Sequence, residues 1–225
     1  LLEKFKTVDS AQIGEMITRI EEQVLYKNIL AYFKDKSLQD AMVKYAVAGE
    51  MYQASPSTNG DYLAVVNTNV AGGKTDIFMD QQIVLKSMID PEGKAQNVLT
   101  ITRTHNGINR KESWYRDANQ NYLRVYAPET AKLVGLAGNT VKNVYAPINY
   151  QKAGYEMDSN IVSEETKGKD FGKTVFGTWF TTPLGATKKL EFTYEVARAL
   201  VPAEGATYEF VFERQASVNG GLEYE

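Results

Sequence analysis

From residue 60 onward the chain is written with a period of two, and this alternation limits what it can fold into more than any other feature. In "KKLEFTYEV" Leu190, Phe192, Tyr194 and Val196 share one parity against Glu191, Thr193 and Glu195. "DIFMDQQIVLK" sets Ile77, Met79, Ile83 and Leu85 on one parity, and "TYEFVFER" does so with Tyr208, Phe210 and Phe212. "KTVFGTWFTT" puts Val175 and Trp179 on one face, Phe176 and Phe180 on the other. "YLAVV", "NVLTITRTH" and "NYLRVYAP" are shorter runs of the same kind. Successive side chains of a strand point to opposite faces, so such runs suit strands with one buried side. Turn formers ("DPEGK", "TPLGA", "VPAEGA") separate them, without an intervening helical pattern. That predicts antiparallel sheets packed as a sandwich, not a parallel sheet with crossover helices.

The first fifty residues follow another rule. Ile13, Met16, Ile17, Ile20 and Val24 recur at helical spacing behind Asp9 and Gln12, which resemble a capping box. Leu25, Ile29, Tyr32 and Phe33 extend the stripe. Ser37 with Asp40 suggests a second cap ahead of Leu38, Met42, Tyr45 and Ala46, with Gly49 as the stop. Two or three helices are expected. "SPSTNGD", residues 55–61, is the boundary signal. The predicted fold class is therefore α+β: a short N-terminal helical segment at 1–54, then a mainly antiparallel β-sandwich of immunoglobulin-like architecture at 60–225.

Charge and composition exclude several functions. The 25 basic residues against 28 acidic ones leave a net charge of -3, and a general nucleic-acid surface needs a basic excess to displace counterions. With no cysteine there is no disulfide, thiolate metal site or cysteine nucleophile. A single histidine, His105, cannot assemble a histidine metal cluster, and no Gly-x-Ser-x-Gly elbow accompanies it. Near the end of a strand in "TRTHNG", it reads as a loop-edge hydrogen bonder. No apolar run reaches the ~18 residues needed to span a bilayer, and no signal-peptide pattern opens the chain. It begins "LLEKFKTVDS", without an initiator methionine, so an upstream signal or anchor is expected.

Three local motifs invite chemistry. "NTNVAGGKTDIF", residues 67–78, ends like a phosphate-cradling loop, but Thr68 stands where the leading glycine is required and the following residues alternate like a strand. A glycine hairpin, "YLAVV" out and "TDIFM" back, is the expectation. "DANQN", 117–121, begins like a calcium loop, yet Tyr122 and Pro128 occupy the glycine and glutamate places; it reads as a polar turn. Asp76 with Asp80, or Glu164 with Glu165, could serve glycoside hydrolysis only if they faced one another across a cleft. Trp114, Tyr115, Tyr122, Tyr126, Tyr145, Tyr150 and Tyr155 crowd the middle of the chain. They suit sugar stacking or protein contact where exposed, and sheet packing where buried.

Four stretches in succession carry a resemblance: "DYLAVVNTNVAGGKTDIFMDQQI", "SWYRDANQNYLRVYAPETAKLVGLAG", "GKDFGKTVFGTWFTTPLGATKKLEFTYEV" and "YEFVFERQASVNGG". Together they resemble the C-terminal part of a bacterial envelope family, domain-of-unknown-function family 4012, over residues 25–222. The resemblance implies an exported, membrane-anchored protein in which a transmembrane helix and an α/β region precede this segment. Asn67, Asn69 and Lys74 match the family motif before the second strand. Glu129 and Thr130 replace the usual Gly-Ser pair, and "PLGAT" departs from the usual Pro-Gly turn. No catalytic residue is established for that family, so none is carried over.

The expectation is a non-catalytic, extracytoplasmic domain of a cell-envelope protein with a binding or assembly role. Its binding residues would be Asn67, Asn69, Lys74, Tyr122 and Tyr126, with no catalytic, metal or cofactor site. The partner would be a cell-wall glycan or another envelope protein, with no nucleic acid and no membrane contact by this segment. The alternative is the accessory half of a cell-wall polymer-modifying enzyme whose active site lies upstream, and a third reading is a surface spacer.

Overall fold

The computed structural model describes residues 9–45, 47–53, 60–70, 73–141, 149–156, 165–197, 204–205, 207–216 and 220–225. Of the features above, Ala46, residues 55–59 of the boundary signal, Gly72, Tyr145, Glu164 and most of "VPAEGA" lie outside these. The chain divides into two compact units, Leu1–Met51 with Arg214–Ser217, and Tyr52–Glu213 with Val218–Glu225.

The first unit holds helix α1, Ser10–Leu25, and helix α2, Lys36–Lys44. Asp9 caps α1 with both bonds of the capping box in place. The helix does not run on to Ile29, Tyr32 and Phe33. Lys27 takes a φ of 55, and the N–H groups of Lys27 and Asn28 turn back onto Val24 O at 2.9 Å and Gln23 O at 2.8 Å. This pair of bonds satisfies the last carbonyls and closes the helix. The cap of α2 is Asp35 rather than Ser37: its Oδ1 accepts from Leu38 N at 3.1 Å and from Ser37 Oγ at 2.6 Å. An ionised carboxylate is the stronger acceptor, and Asp40 is engaged instead with Lys36 at 2.9 Å. Gly49 lies beyond the end of α2, in a left-handed turn with φ 70. Among the described residues no helix is long and apolar enough to cross a membrane.

The second unit is β-rich. Its strands are β1 Gly60–Asn69, β2 Met79–Ile89, β3 Ala95–His105, β4 Asn119–Ala127, β5 Lys132–Ala137, β6 Glu165–Asp170, β7 Lys173–Thr182, β8 Thr187–Val196, β9 Glu209–Glu213 and β10 Leu222–Tyr224. A one-turn helix α3, Tyr150–Ala153, follows β5. Sheet A has the order β6-β7-β4-β1-β9 and sheet B the order β10-β2-β3-β8-β5. Every pairing is antiparallel except the edge pairs β1–β9 and β2–β10, which are parallel.

Residues of one parity from both sheets share a core. Leu63, Val65, Leu123, Val125, Phe176 and Phe180 of sheet A meet Ile83, Leu85, Leu99, Ile101, Leu190 and Phe192 of sheet B. For β1, β2 and β8 this is the parity read from the sequence, and burial of these side chains is the main favourable term in folding. Phe210, Phe212 and Leu222 pack against it half-buried. One expectation fails: β1 and β2 do not form a hairpin. β1 pairs with β4, in register Ala64↔Tyr126 to Asn69↔Asn121. A 3-10 turn at Thr75–Phe78 carries the chain across to sheet B, because both strands need their own apolar faces turned toward one interior. No helix long enough to offer a dipole follows Lys74, so a phosphate-cradling loop has no scaffold here.

Candidate binding face

The apolar parity of three strands turns polar at the same end of the interior. In β3 Leu99 and Ile101 are succeeded by Arg103 and His105, in β1 Leu63 and Val65 by Asn67 and Asn69, and in β4 Asn119 and Asn121 precede Leu123. Arg103, His105, Asn119 and Asn121 are buried. A buried guanidinium needs partners, and Arg103 has them: Nη1 donates to Asn119 Oδ1 at 2.9 Å and Nη2 to Asp76 Oδ1 at 3.4 Å. Burial pulls the Arg103 guanidinium below its ordinary value while Asp76 opposes the shift. Asn119 Nδ2 donates onward to Thr75 Oγ1 at 3.0 Å and Asp76 Oδ1 at 2.9 Å. Asn69 Nδ2 reaches Gly73 O at 3.1 Å and Thr75 Oγ1 at 3.3 Å. Asn121 Nδ2 donates to Asn67 Oδ1 at 2.7 Å, while its Oδ1 accepts from Thr68 N at 2.8 Å.

This network holds two surface loops against each other. Lys74 N donates to Trp114 O at 2.9 Å. Gly73 has φ 61, and a Cβ there would stand 2.3 Å from Trp114 O, so only glycine permits the approach. His105 Nδ1 accepts from Gly107 N at 3.1 Å, which leaves Nε2 to donate to Asp117 O at 2.9 Å. The histidine is the last residue of β3, as expected of a hydrogen bonder near a strand's end, and it is buried and tethers the 107–117 loop at two points. Phe78 meets Tyr115 edge-on at 5.0 Å, Tyr115 meets Trp114 at 5.8 Å, and the Arg110 guanidinium lies 4.4 Å above Phe78. On the short turns that carry these contacts Ile77, Ile108 and Trp114 remain 60%, 56% and 49% exposed. The side chains of Lys74, Arg110, Lys111 and Arg116 are exposed beside them.

The sequence-predicted residues fall into two groups. Asn67 and Asn69 support the loop end from the interior side of sheet A, and Lys74 sits on the loop itself. Tyr122 and Tyr126 lie on the outer face of the same sheet and are not brought together with the others. Tyr122 packs edge-on against Trp179 at 5.2 Å. Tyr126 is buried, donates to Asp170 Oδ2 at 3.3 Å and lies under Arg124 at 5.7 Å. Nearby, Tyr62 donates its hydroxyl to Glu213, and the buried amine of Lys173 stands 4.7 Å over the Tyr62 ring. Burial pulls the Lys173 amine down, against the opposing pull of Glu213 and Glu129.

Arg103, Asn119 and Thr75 were missed as site residues. The signal was present: Arg103 stands on the apolar parity of "NVLTITRTH", and a charge on a buried parity implies a partner. Asn119 and Asn121 attracted notice as calcium ligands, but their side chains serve protein groups. Among the described residues no group of three or more His, Asp and Glu could hold a metal ion. Asp76 is taken by Arg103 and Asn119, and Asp80 accepts from Asn106 Nδ2 at 2.6 Å.

No family model and no curated protein matches the chain. Among solved structures it is similar to the crystal structure of a candidate nutrient-binding protein from Legionella pneumophila, at 10% sequence identity and a TM-score of 0.31. The likeness covers 62% of this chain and 44% of that one. The matched part is thus under half of the neighbour.

Proposed function

We propose that this is a non-catalytic binding or assembly domain of a bacterial cell-envelope protein, and that the loop end around Trp114 is its binding face. The observation that carries the reading is the exposure of Trp114, Ile77 and Ile108 on turns held by the buried Arg103, Asn119 and Thr75 together with the exposed Asp76. Loops held in place before a ligand arrives lose less freedom on binding. An exposed indole beside cations and hydroxyls suits stacking on a sugar ring with polar contacts around it. A cell-wall glycan is the partner of choice, on an extracytoplasmic protein related to the envelope family that the four quoted stretches resemble. An immunoglobulin-like arrangement of the two sheets, with recognition loops gathered at one end, belongs to the same reading.

The test is binding of the purified protein to isolated cell-wall material and to purified glycans. Saturable binding is expected, weakened about tenfold or more by Trp114→Ala, as for an aromatic anchor, and less by Lys74→Ala. Val134→Ala, an exposed residue on β5, is the control and leaves binding unchanged. Absence of binding to every polymer, or binding indifferent to Trp114, would sink the reading.

A further inference from the structure

The two parallel pairings close one side of the sandwich. β9 adds to β1 and β10 adds to β2, so each sheet is completed at that side by a strand from the last stretch of the chain. Phe210 of β9 and Tyr224 of β10 stack across the seam at 4.5 Å and 15°. β10 itself is short, with Leu222↔Ile83, Glu223↔Val84 and Tyr224↔Leu85 as its register. Ile83 N donates to Gly221 O at 3.2 Å, Glu225 N to Leu85 O at 2.9 Å, and Ser87 N to Glu225 O at 3.0 Å. Gly220 passes so close that a Cβ would stand 1.6 Å from Gln81 O. Leu222 reaches the core, and Glu225 forms an ion pair with Lys86. β2 runs on to Ile89, past the last of these pairs.

We infer that the free edge of β2 is a strand-accepting groove, filled in cis by residues 220–225 and able to take a parallel extended segment of a partner protein in their place. A three-residue strand has few hydrogen bonds to lose, so it opens well before the long β2–β3 ladder. What it uncovers is a row of backbone donors and acceptors beside Ile83 and Leu85, a template for strand addition. The cis segment shows what fits. The partner segment needs a small residue to pass Gln81, an apolar residue two places on for the core, an aromatic two further for Phe210, and then an acid for Lys86.

The experiment uses the full chain and a fluorescent peptide of sequence VNGGLEYE, residues 218–225. Gly220→Val blocks the cis strand without shortening the chain. The expectation is peptide binding at least about tenfold tighter than to the native chain, a difference of about 1.4 kcal/mol. Adding Lys86→Glu weakens it several-fold, and bound peptide slows exchange of the Ile83 and Ser87 amides. A folded Gly220→Val chain that ignores the peptide overturns the proposal. Should that variant not fold, exchange in the native chain decides. The Ile83, Leu85 and Ser87 amides must exchange about tenfold or more faster than Val84 and Lys86, which face β3; equal protection overturns the proposal. Concentration-dependent dimers of the native chain, lost in Gly220→Val, would assign the groove to a second copy and overturn the heterologous partner.

Discussion

The two ends of the interior shared by the sheets solve one problem in different ways. At the loop end a hydrogen bond from sheet B to sheet A runs from Arg103 to Asn119, and the charge is matched by Asp76. At the opposite end the bond runs from Asn97 Nδ2 to Asp61 Oδ2 at 2.7 Å, with Ser87 Oγ donating to Asn97 Oδ1 at 2.5 Å. Asp61 is buried and its donors are neutral: Tyr62 N–H at 2.7 Å and Asn97 Nδ2 at 2.7 Å. Burial pushes its carboxyl up to about 6, and these donors oppose the shift without cancelling it. The end with a matched charge holds exposed loops in place. The end without one makes stability depend on pH.

Breaking the matched end has the largest expected effect. Asn119→Ala strands the buried Arg103 and should cost about 3 kcal/mol in urea unfolding. It should also loosen the Trp114 loop. An unchanged midpoint would show that Asp76 alone suffices.

At the other end the sign is set by the raised carboxyl. Its contribution is fully present below the ordinary carboxylate value of 3.8 and is lost as pH rises through about 6. The loss reaches about 3 kcal/mol by neutral pH. Asp61→Asn, whose amide has to find a new pairing with Asn97, removes this dependence. The native-minus-variant difference in urea stability should therefore fall between pH 4 and 7, and a flat difference would refute the uncompensated charge.

Smaller effects sharpen the contrast. Gly73→Ala forces a Cβ against Trp114 O in a left-handed backbone and should cost about 1–2 kcal/mol, with binding at the proposed face falling in step. Ser87→Ala removes one neutral bond to Asn97 and should cost about 1 kcal/mol, equally at pH 5 and pH 8.

Parts of the molecule were legible in the residues. The interior parities of β2 and β8 were read from the residues because alternation records which side of a strand is dry. The capping box at Asp9 was legible because it is a local exchange of hydrogen bonds. The binding face was only half legible. Lys74, Asn67 and Asn69 were singled out as a loop, but their partners Arg103 and Asn119 come from β3 and β4, and Trp114 was one aromatic among many. Tyr122 and Tyr126 were grouped with them, yet pleating sends them to the opposite face of sheet A.

By itself the sequence determined the strand content, the inward parity, the helix cap and the exclusion of thiolate and histidine-cluster chemistry, since each depends on neighbours within a few positions. Only the tertiary structure decided that β1 pairs with β4, that β9 and β10 close one seam in parallel, and that Arg103 meets Asn119. Those contacts join residues far apart in the chain. Local propensity is indifferent among such pairings, and the choice falls to the arrangement that turns the apolar parities of both sheets toward one interior.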